Sequence, residues 1–437
     1  MKSTVFINKQ LIKLLISTLT IISFSLSGCH SSSGNNSSSE SPKHTLPEGQ
    51  VNSWVDDTEY MSLSAEEQTE RLNVVYRDTE QNSQFDYIAI APDGCIYAAG
   101  SSLGSDLHFL AKYDWELNLL DSIATNDYAN GLAVGLDGSV YLSSMNSIEQ
   151  YDSSLIKQNT VGYRGGREAP GYFDIAIGHD GFVYSIVTIA IGGLTESRYE
   201  VHKFDRSLNL IESVVISDSL AWGERVNDYL NHIAVAADGT VFVSGSVADS
   251  VEKRVKAVIV KCDRYLEVKD VVYLEREDFL YRLEGEYHHP GESQIIYVNA
   301  PLFDKLDTTP DGLLVALAAP WFEVGKPSVI LFDGDLNIVA EYRHNNSETV
   351  LISFCISQYG VIYVAGTTFD EGGSQVGIVI KLDGGFGEAN AVSWSADEFR
   401  YSVFNDISVA VNGSVIVVGF GSDGADPWNR RNAVIIK

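Results

Sequence analysis

Nine polar residues recur at one place in this chain, each just ahead of an alternating apolar run. They are Asp86, Asn130, Asp174, Asn231, His232, Asp304, Lys305, Asn405 and Asp406. Carboxylates, amides, an imidazole and an ammonium are the groups that hold polar small molecules or metal ions. An oxygen-rich set of this kind suits calcium rather than a transition metal. The same residue types also cap strand starts and latch backbone amides. Two readings therefore stand side by side, a ligand or calcium site and a structural fastening. Asp307 belongs with them, because it stands where sister runs carry Ala, Cys or Ser. A carboxylate at an apolar position is costly unless paired or hydrogen-bonded, and local rules break where function or compensated strain is found.

The runs that must position these groups are copies of one phrase. The clearest extends from Ile233 to Gly245, two alternating apolar stretches joined by Asp238-Gly239. Alternation reads as strand, and Asp-Gly between two such runs is a hairpin signal. The phrase returns around Asp93-Gly94, Asp137-Gly138, Asp180-Gly181, Asp311-Gly312, Tyr359-Gly360 and Asn412-Gly413. A second phrase follows each hairpin. It is a strand closing on an aromatic or apolar residue and Asp, as in Lys112-Tyr113-Asp114, Lys203-Phe204-Asp205 and Leu331-Phe332-Asp333. A turn and a fourth strand come next, often opening Leu-Asn. Four antiparallel strands repeated seven times describe an all-β chain, a seven-bladed propeller.

The last unit ends at its third strand, Ala433 to Lys437, while Leu72 to Tyr76 is an orphan copy of the fourth-strand phrase at the front. The sequence thus predicts that an N-terminal strand completes the last blade, closes the ring and removes an exposed edge. Within the blades, first strands such as Ile88-Ala89-Ile90-Ala91 and Ile175-Ala176-Ile177-Gly178 alternate large with small. Large faces meeting small ones let blades approach closely near the axis.

The repeated phrase resembles the bacterial seven-bladed beta-propeller repeat family, and is similar to NHL-type repeats. Val361 to Thr368 and Val379 to Asp383 are the closest copies. The resemblance spans Leu72 to Lys437 in pattern. It implies a fold and no catalytic motif, since propellers host many activities. The second unit departs from it, with Ser143-Ser144 in place of the Gly after its second strand.

Residues 1–28 read as a leader. Lys2, Lys9 and Lys13 precede an apolar stretch, Leu14 to Leu26, that is short for a membrane span. Leu26-Ser27-Gly28-Cys29 resembles a bacterial lipobox, which implies cleavage before Cys29 and lipidation of its thiol; an ordinary secretory signal is the alternative. Residues 29–50 carry that Cys and a Ser/Asn-rich tether too polar to fold, leaving 51–437 as the propeller domain. Ser64-Ala65-Glu66-Glu67 fits a capping box for a short helical turn. His30 after the Cys implies the outer membrane of a bacterial envelope, with membrane contact only through the lipid. The formal charge of −29 argues against nucleic acid and anionic lipid as partners. Cys95, Cys262 and Cys355 fall in strand phrases of different units and read as buried small hydrophobes, not as a disulfide or zinc framework.

Loops before the first strands and between second and third strands share one face of such a ring. The large insertions, Gly162–Tyr172, Ser217–Tyr229, Glu275–Leu302 and Gly421–Arg431, all fall there, and loops on a rigid scaffold carry function. Trp222 and Trp428 in them, with His288 and His289, are candidate contacts for a partner, against the plainer reading of loop packing. His288 and His289 sit near Glu284 and Glu286. Adjacent histidines point apart, so a solvated loop is favoured there over zinc. No nucleophile elbow, zincin motif or phosphate loop is present. The expectation is a monomeric, lipid-anchored envelope module that binds a protein or surface glycan through the insertion-bearing face. The alternative is a carbohydrate or small-ligand site, or an enzyme, at the channel mouth, formed by Asp86, Asp174, His232, Asp304, Lys305, Asp307 and Asp406, with calcium as an option.

Overall fold

A computed structural model of the chain describes residues 74–77, 83–102, 107–162, 170–191, 196–217, 229–249, 254–274, 281–282, 288–289, 292–293, 302–319, 326–346, 348–370, 372–394, 399–422 and 431–437. The leader, Cys29, the tether and the helical turn expected at Ser64 lie outside them. So do Trp222, Trp428 and most of the long insertions.

The described elements are strands, most of them in antiparallel sets of four hydrogen-bonded in chain order; a single parallel bridge, Gln375 to Tyr401, joins the last two sets into one sheet, and Tyr281–Arg282 adds a fifth strand to the fourth set. The first comprises Ser83–Ile90, Ile96–Ser102, Leu107–Tyr113 and Leu119–Thr125. The plan repeats from Ala129–Val134, Pro170–Ile177, Tyr229–Val235, Leu302–Thr308 and Val350–Ile356, each the first strand of its own set. The last set begins with Tyr401–Val409, continues through Val415–Ser422 and Arg431–Ile436, and draws its fourth strand from the front of the chain. Val74–Arg77 runs antiparallel to Arg431–Ile436, with Val74 opposite Ile436 and Arg77 opposite Ala433. This is an all-β protein of propeller type.

First strands lie beside one another in order, and Tyr401–Val409 lies back against Ser83–Ile90. The core follows the same circuit, because hydrophobic clusters form between consecutive sheets rather than inside one. Ala234 and Ala236 of one sheet receive Phe303 and Leu306 of the next. Ile88, Ala98 and Ala111 of the first sheet pack against Ile416, Val418 and Ile435 of the last.

Two kinds of turn share one hydrogen-bond scheme. In the hairpins, Gly94 N donates to Ala91 O and Ala91 N to Cys95 O, with Gly94 left-handed at φ 85°. The hairpin expected at Asp93-Gly94 is present, with a loop of three residues, and Asp93 accepts the amide of Cys95. Between third and fourth strands, Leu117 N donates to Asp114 O and Asp114 N to Asn118 O. Here the left-handed residue is not glycine but Leu117, Leu155, Leu208, Leu266, Leu336 or Phe386, with φ between 57° and 65°. A side chain in that conformation costs about 1–2 kcal/mol. Each of these side chains is buried between sheets, which offsets the strain. The Asp of the second sequence phrase stiffens the turn, as where Asp205 and Asp333 accept the amides two and four residues on.

The basic residue before that Asp fastens one sheet to the next. Lys112 Nζ donates to Ser153 O at 2.6 Å, Lys203 Nζ to Arg264 O at 3.2 Å, and Lys261 Nζ to Gly334 O. Lys437 Nζ does the same to Trp115 O at 3.0 Å, linking the last set to the first.

Candidate functional site

Each first strand carries a bulge near its start, between Phe85 and Tyr87, Leu230 and His232, Phe303 and Lys305, Leu351 and Ser353, or Phe404 and Asp406, with equivalents in the second and third sheets. The bulge presses backbone against the paired second strand. A Cβ on Gly366 would meet Val350 O at 2.0 Å, and one on Gly419 would meet Val403 O at 1.9 Å, so only glycine fits there. A bulge also re-aims the next side chain. The residues so aimed are Tyr87, Asp174, His232, Lys305, Ser353 and Asp406, with Gly131 in the second sheet.

Three of these side chains converge from consecutive sheets. Lys305 Nζ donates to Ser353 Oγ at 2.8 Å and to Asp406 Oδ1 at 2.7 Å, and Ser353 Oγ donates to the same Asp406 oxygen at 2.6 Å. Three first strands meet in that cluster. Burial alone would lower the Lys305 pKa, but the Asp406 carboxylate outweighs it and the net shift is upward. A lysine held protonated cannot serve as base for Ser353, so the triad is a fastening and charge-matching device rather than an activated nucleophile.

Asp406 also spans to the first sheet, where its Oδ2 accepts Ile88 N at 2.9 Å. Asp174 does likewise one sheet on, accepting Ile233 N at 3.2 Å and its own neighbour Ile175 N at 2.8 Å. His232 Nδ1 stands 3.5 Å from Asp174 Oδ2. Asn130 Nδ2 donates to Tyr172 O and Asn405 Nδ2 to Phe85 O. Latching between sheets therefore occupies Asn130, Asp174, Asn405 and Asp406, as the fastening reading expects.

Asp307 is placed differently. Burial pushes its carboxyl up, the Thr308 amide and Lys305 pull it down, and Asp174 adds to the rise. Its hydrogen bond is to the amide of Thr308 at 2.7 Å. The residue is half-buried. Cys355, near Lys305, Asp406 and Asp307, has its thiol pushed far up by burial, which leaves it unreactive.

Asp86, on the first bulge, belongs to a separate network. It accepts Gln84 Nε2 at 2.5 Å and Ser101 Oγ at 3.2 Å, and shares a hydrogen bond with Tyr128. Burial pushes its carboxyl up to about 6, against the pull of these donors and of Arg431. Burial first, then Tyr128, Asp174, Asp86 and Asp406, push the Tyr87 phenol well above its ordinary range.

Of the residues expected at the mouth, Asp174, His232, Lys305, Asp307 and Asp406 come together, Asp86 flanks them, and the Asp304 side chain lies outside the described residues. His288 and His289 form a two-residue strand pairing with Glu292–Ser293. Among the described residues, no group of three or more His, Cys, Asp or Glu could hold a metal ion, so calcium has no such group there. Tyr87 and Ser353 were missing from the expected set; nothing in their residue types marks them, and the register of the paired strands is what places them just past the bulge. Cys95, Cys262 and Cys355 are buried thiols, as expected.

No protein-family model matches the chain, and neither does any curated protein. Among solved structures it is similar to a protein of unknown function from Bacteroides caccae, at 9% identity and TM-score 0.43, over 75% of this chain and 98% of the other. It is similar to a gluconolactonase from Xanthomonas campestris at 14% and 0.39, over 65% and 83%. A quinoprotein alcohol dehydrogenase-like protein from Bacteroides thetaiotaomicron matches at 15% and 0.43, over 71% and 66%. At these identities and scores nothing about a ligand or reaction passes to this chain.

Proposed function

We propose that the chain is a seven-bladed propeller that binds a small polar ligand of carbohydrate class at the mouth of its axis. The blade count rests on the repeated phrase, the circuit of hydrophobic clusters and the pairing of Val74–Arg77 with Arg431–Ile436.

One observation carries the ligand reading. Positions that serve only the fold repeat their residue from sheet to sheet. The turn Asp is Asp114, Asp152, Asp205, Asp263, Asp333 and Asp383, and the residue after the aimed position is Ile88, Leu132, Ile175, Ile233, Leu306, Phe354 or Ile407, always large and apolar. The aimed position itself carries Tyr87, Gly131, Asp174, His232, Lys305, Ser353 and Asp406. Lys305, Ser353 and Asp406 are bonded to one another and Asp174 latches the next sheet, so Tyr87 and His232 are the aimed groups that fastening does not account for and that recognition of an asymmetric molecule would use. The protein-partner reading has no comparable support, since Trp222 and Trp428 lie outside the described residues.

In the same proposal the protein is exported and held to a bacterial envelope, in the outer membrane, by a lipid on Cys29, with residues 29–50 as tether. Among the described residues no helix is long and apolar enough to cross a membrane.

The test is a thermal-shift and calorimetric screen of neutral, acidic and amino sugars, repeated on Tyr87→Ala and His232→Ala. At least one ligand should raise the melting temperature, with affinity falling at least tenfold in both variants. A screen in which nothing binds, or in which both variants bind like the parent, would sink the reading.

A further inference from the structure

Building on the mouth as a ligand site, we propose that the ligand is a neutral polyol, one hydroxyl of which enters the seam between the fourth and fifth sheets and bonds Asn231 and Ser244.

The inference rests on two buried polar atoms. Ser244 is fully buried, and among the described residues neither its Oγ nor Asn231 Oδ1 has a hydrogen-bond partner. Equivalent groups elsewhere are satisfied by the next sheet. Asn130 and Asn405 stand at the same bulge position as Asn231, and they donate to Tyr172 O and Phe85 O. Ser143 lies opposite Gly131 as Ser244 lies opposite His232, and it donates to Phe173 O at 2.8 Å. A buried hydroxyl or amide oxygen left unbonded is costly, and such groups are few in folded proteins. Here two of them flank one bulge.

Ser244 lies on the face of the fourth sheet that meets the fifth. Phe242, two residues before it, and Ile259, opposite it, share a cluster with Leu306 and Leu314 of the fifth sheet. Lys305, the aimed residue of the fifth sheet, is committed elsewhere, to Ser353 and Asp406. The hydrogen bonds described between these two sheets are Thr308 Oγ1 to Val235 O at 3.5 Å and Lys261 Nζ to Gly334 O. Both lie at the hairpin end, away from the bulges, so the bulge end can part without breaking either.

The chemistry of the pair selects the ligand. A hydroxyl can donate to Asn231 Oδ1 and accept from Ser244 Oγ. An ammonium only donates and a carboxylate only accepts, so neither satisfies both the Asn231 oxygen and the Ser244 proton. The register also puts the subsite beside His232, one of the two aimed groups that fastening leaves unexplained.

The test is calorimetric titration of D-glucose, D-galactose and myo-inositol, with D-glucuronate and D-glucosamine as charged counterparts. Each is titrated into the full chain, Ser244→Ala and Ser143→Ala. At least one neutral compound should bind at least tenfold more tightly than the charged ones, and Ser244→Ala should weaken it at least tenfold. Free Ser244→Ala should melt no lower than the parent, because it deletes a hydroxyl that bonds nothing. Ser143→Ala should do the reverse, lowering the melting temperature and leaving affinity unchanged. If neutral compounds bind through Tyr87 and His232 but equally well to Ser244→Ala, the mouth stands and the seam subsite is wrong. If a charged compound binds best, the neutral polyol is wrong. If Ser244→Ala melts as low as Ser143→Ala, the Ser244 hydroxyl already serves the fold and the subsite is again wrong. If nothing binds, mouth and subsite fall together.

Discussion

Asp86 is a carboxyl that burial has made reluctant to ionise, and the consequence is measurable. Its pKa rises from 3.8 to about 6 in the fold, so the protonated form is the one the fold prefers. That preference is fully present below about 3.8 and is lost as pH rises through about 6, a span worth about 3 kcal/mol. Asp86→Asn cannot ionise, and the Ser101 and Tyr128 hydroxyls can turn to suit the amide. Between pH 4 and pH 8 the parent should therefore lose about 2 kcal/mol relative to the variant in urea unfolding, most of that span. Parallel pH profiles would show that Asp86 is solvated. The turn carboxylates run the other way. Hydrogen bonds from Asn209 and Asn337 hold Asp205 and Asp333 below the usual range, so their contribution is present above 3.8 and fades as pH falls through their lowered values.

At the scale of one turn, two penalties compete and their sizes decide. Leu266 adopts φ 58° and is 1% exposed. Glycine there would relieve about 1–2 kcal/mol of backbone strain, but truncating a buried leucine costs about 2–5 kcal/mol. Leu266→Gly should therefore destabilise, by about 1–3 kcal/mol in denaturant melts, although it puts the conformationally free residue where φ is positive. An unchanged or raised midpoint would mean that the side chain does not hold the sheets together. Gly413, at φ 85° with nothing within 4 Å of an added Cβ, has strain without packing, so glycine is the better choice there. This contrast explains what could be read in advance. Asp-Gly hairpins and Asp-capped turns repeat their residues, so the strands they bound were legible. The bulges have no residue signature of their own. Asp86 and Asp304 look alike in sequence, and Tyr87 and Ser353 look like ordinary strand residues. That the aimed position lies one residue later than the Asp/Asn column emerges only from the register of the paired strands.

For the whole molecule, the question is what keeps the first and last sheets together. Contacts of several kinds do so: the strand pairing of Val74–Arg77 with Arg431–Ile436, the hydrophobic cluster joining Ile88 to Ile416 and Ile435, the latches of Asp406 on Ile88 N and Asn405 on Phe85 O, and Lys437 on Trp115 O. They are unequal. One lysine–carbonyl hydrogen bond at a half-exposed residue is worth about 1 kcal/mol, so Lys437→Met should lower the midpoint only slightly. Removing residues 51–77 takes away a whole strand. It leaves the Arg431–Ile436 backbone as an unpaired edge, ready to pair with another chain. Every sheet leans on its neighbours for its core, so opening the circuit at one point exposes apolar faces on both sides of the break. The deletion should lower the melting midpoint by far more than Lys437→Met, broaden the transition and shift the protein towards dimers or aggregates in size-exclusion chromatography. Should the deleted chain remain monomeric and melt with the parent's midpoint and sharpness, the cluster between first and last sheets would be sufficient by itself, and the N-terminal strand an ornament on a ring already closed.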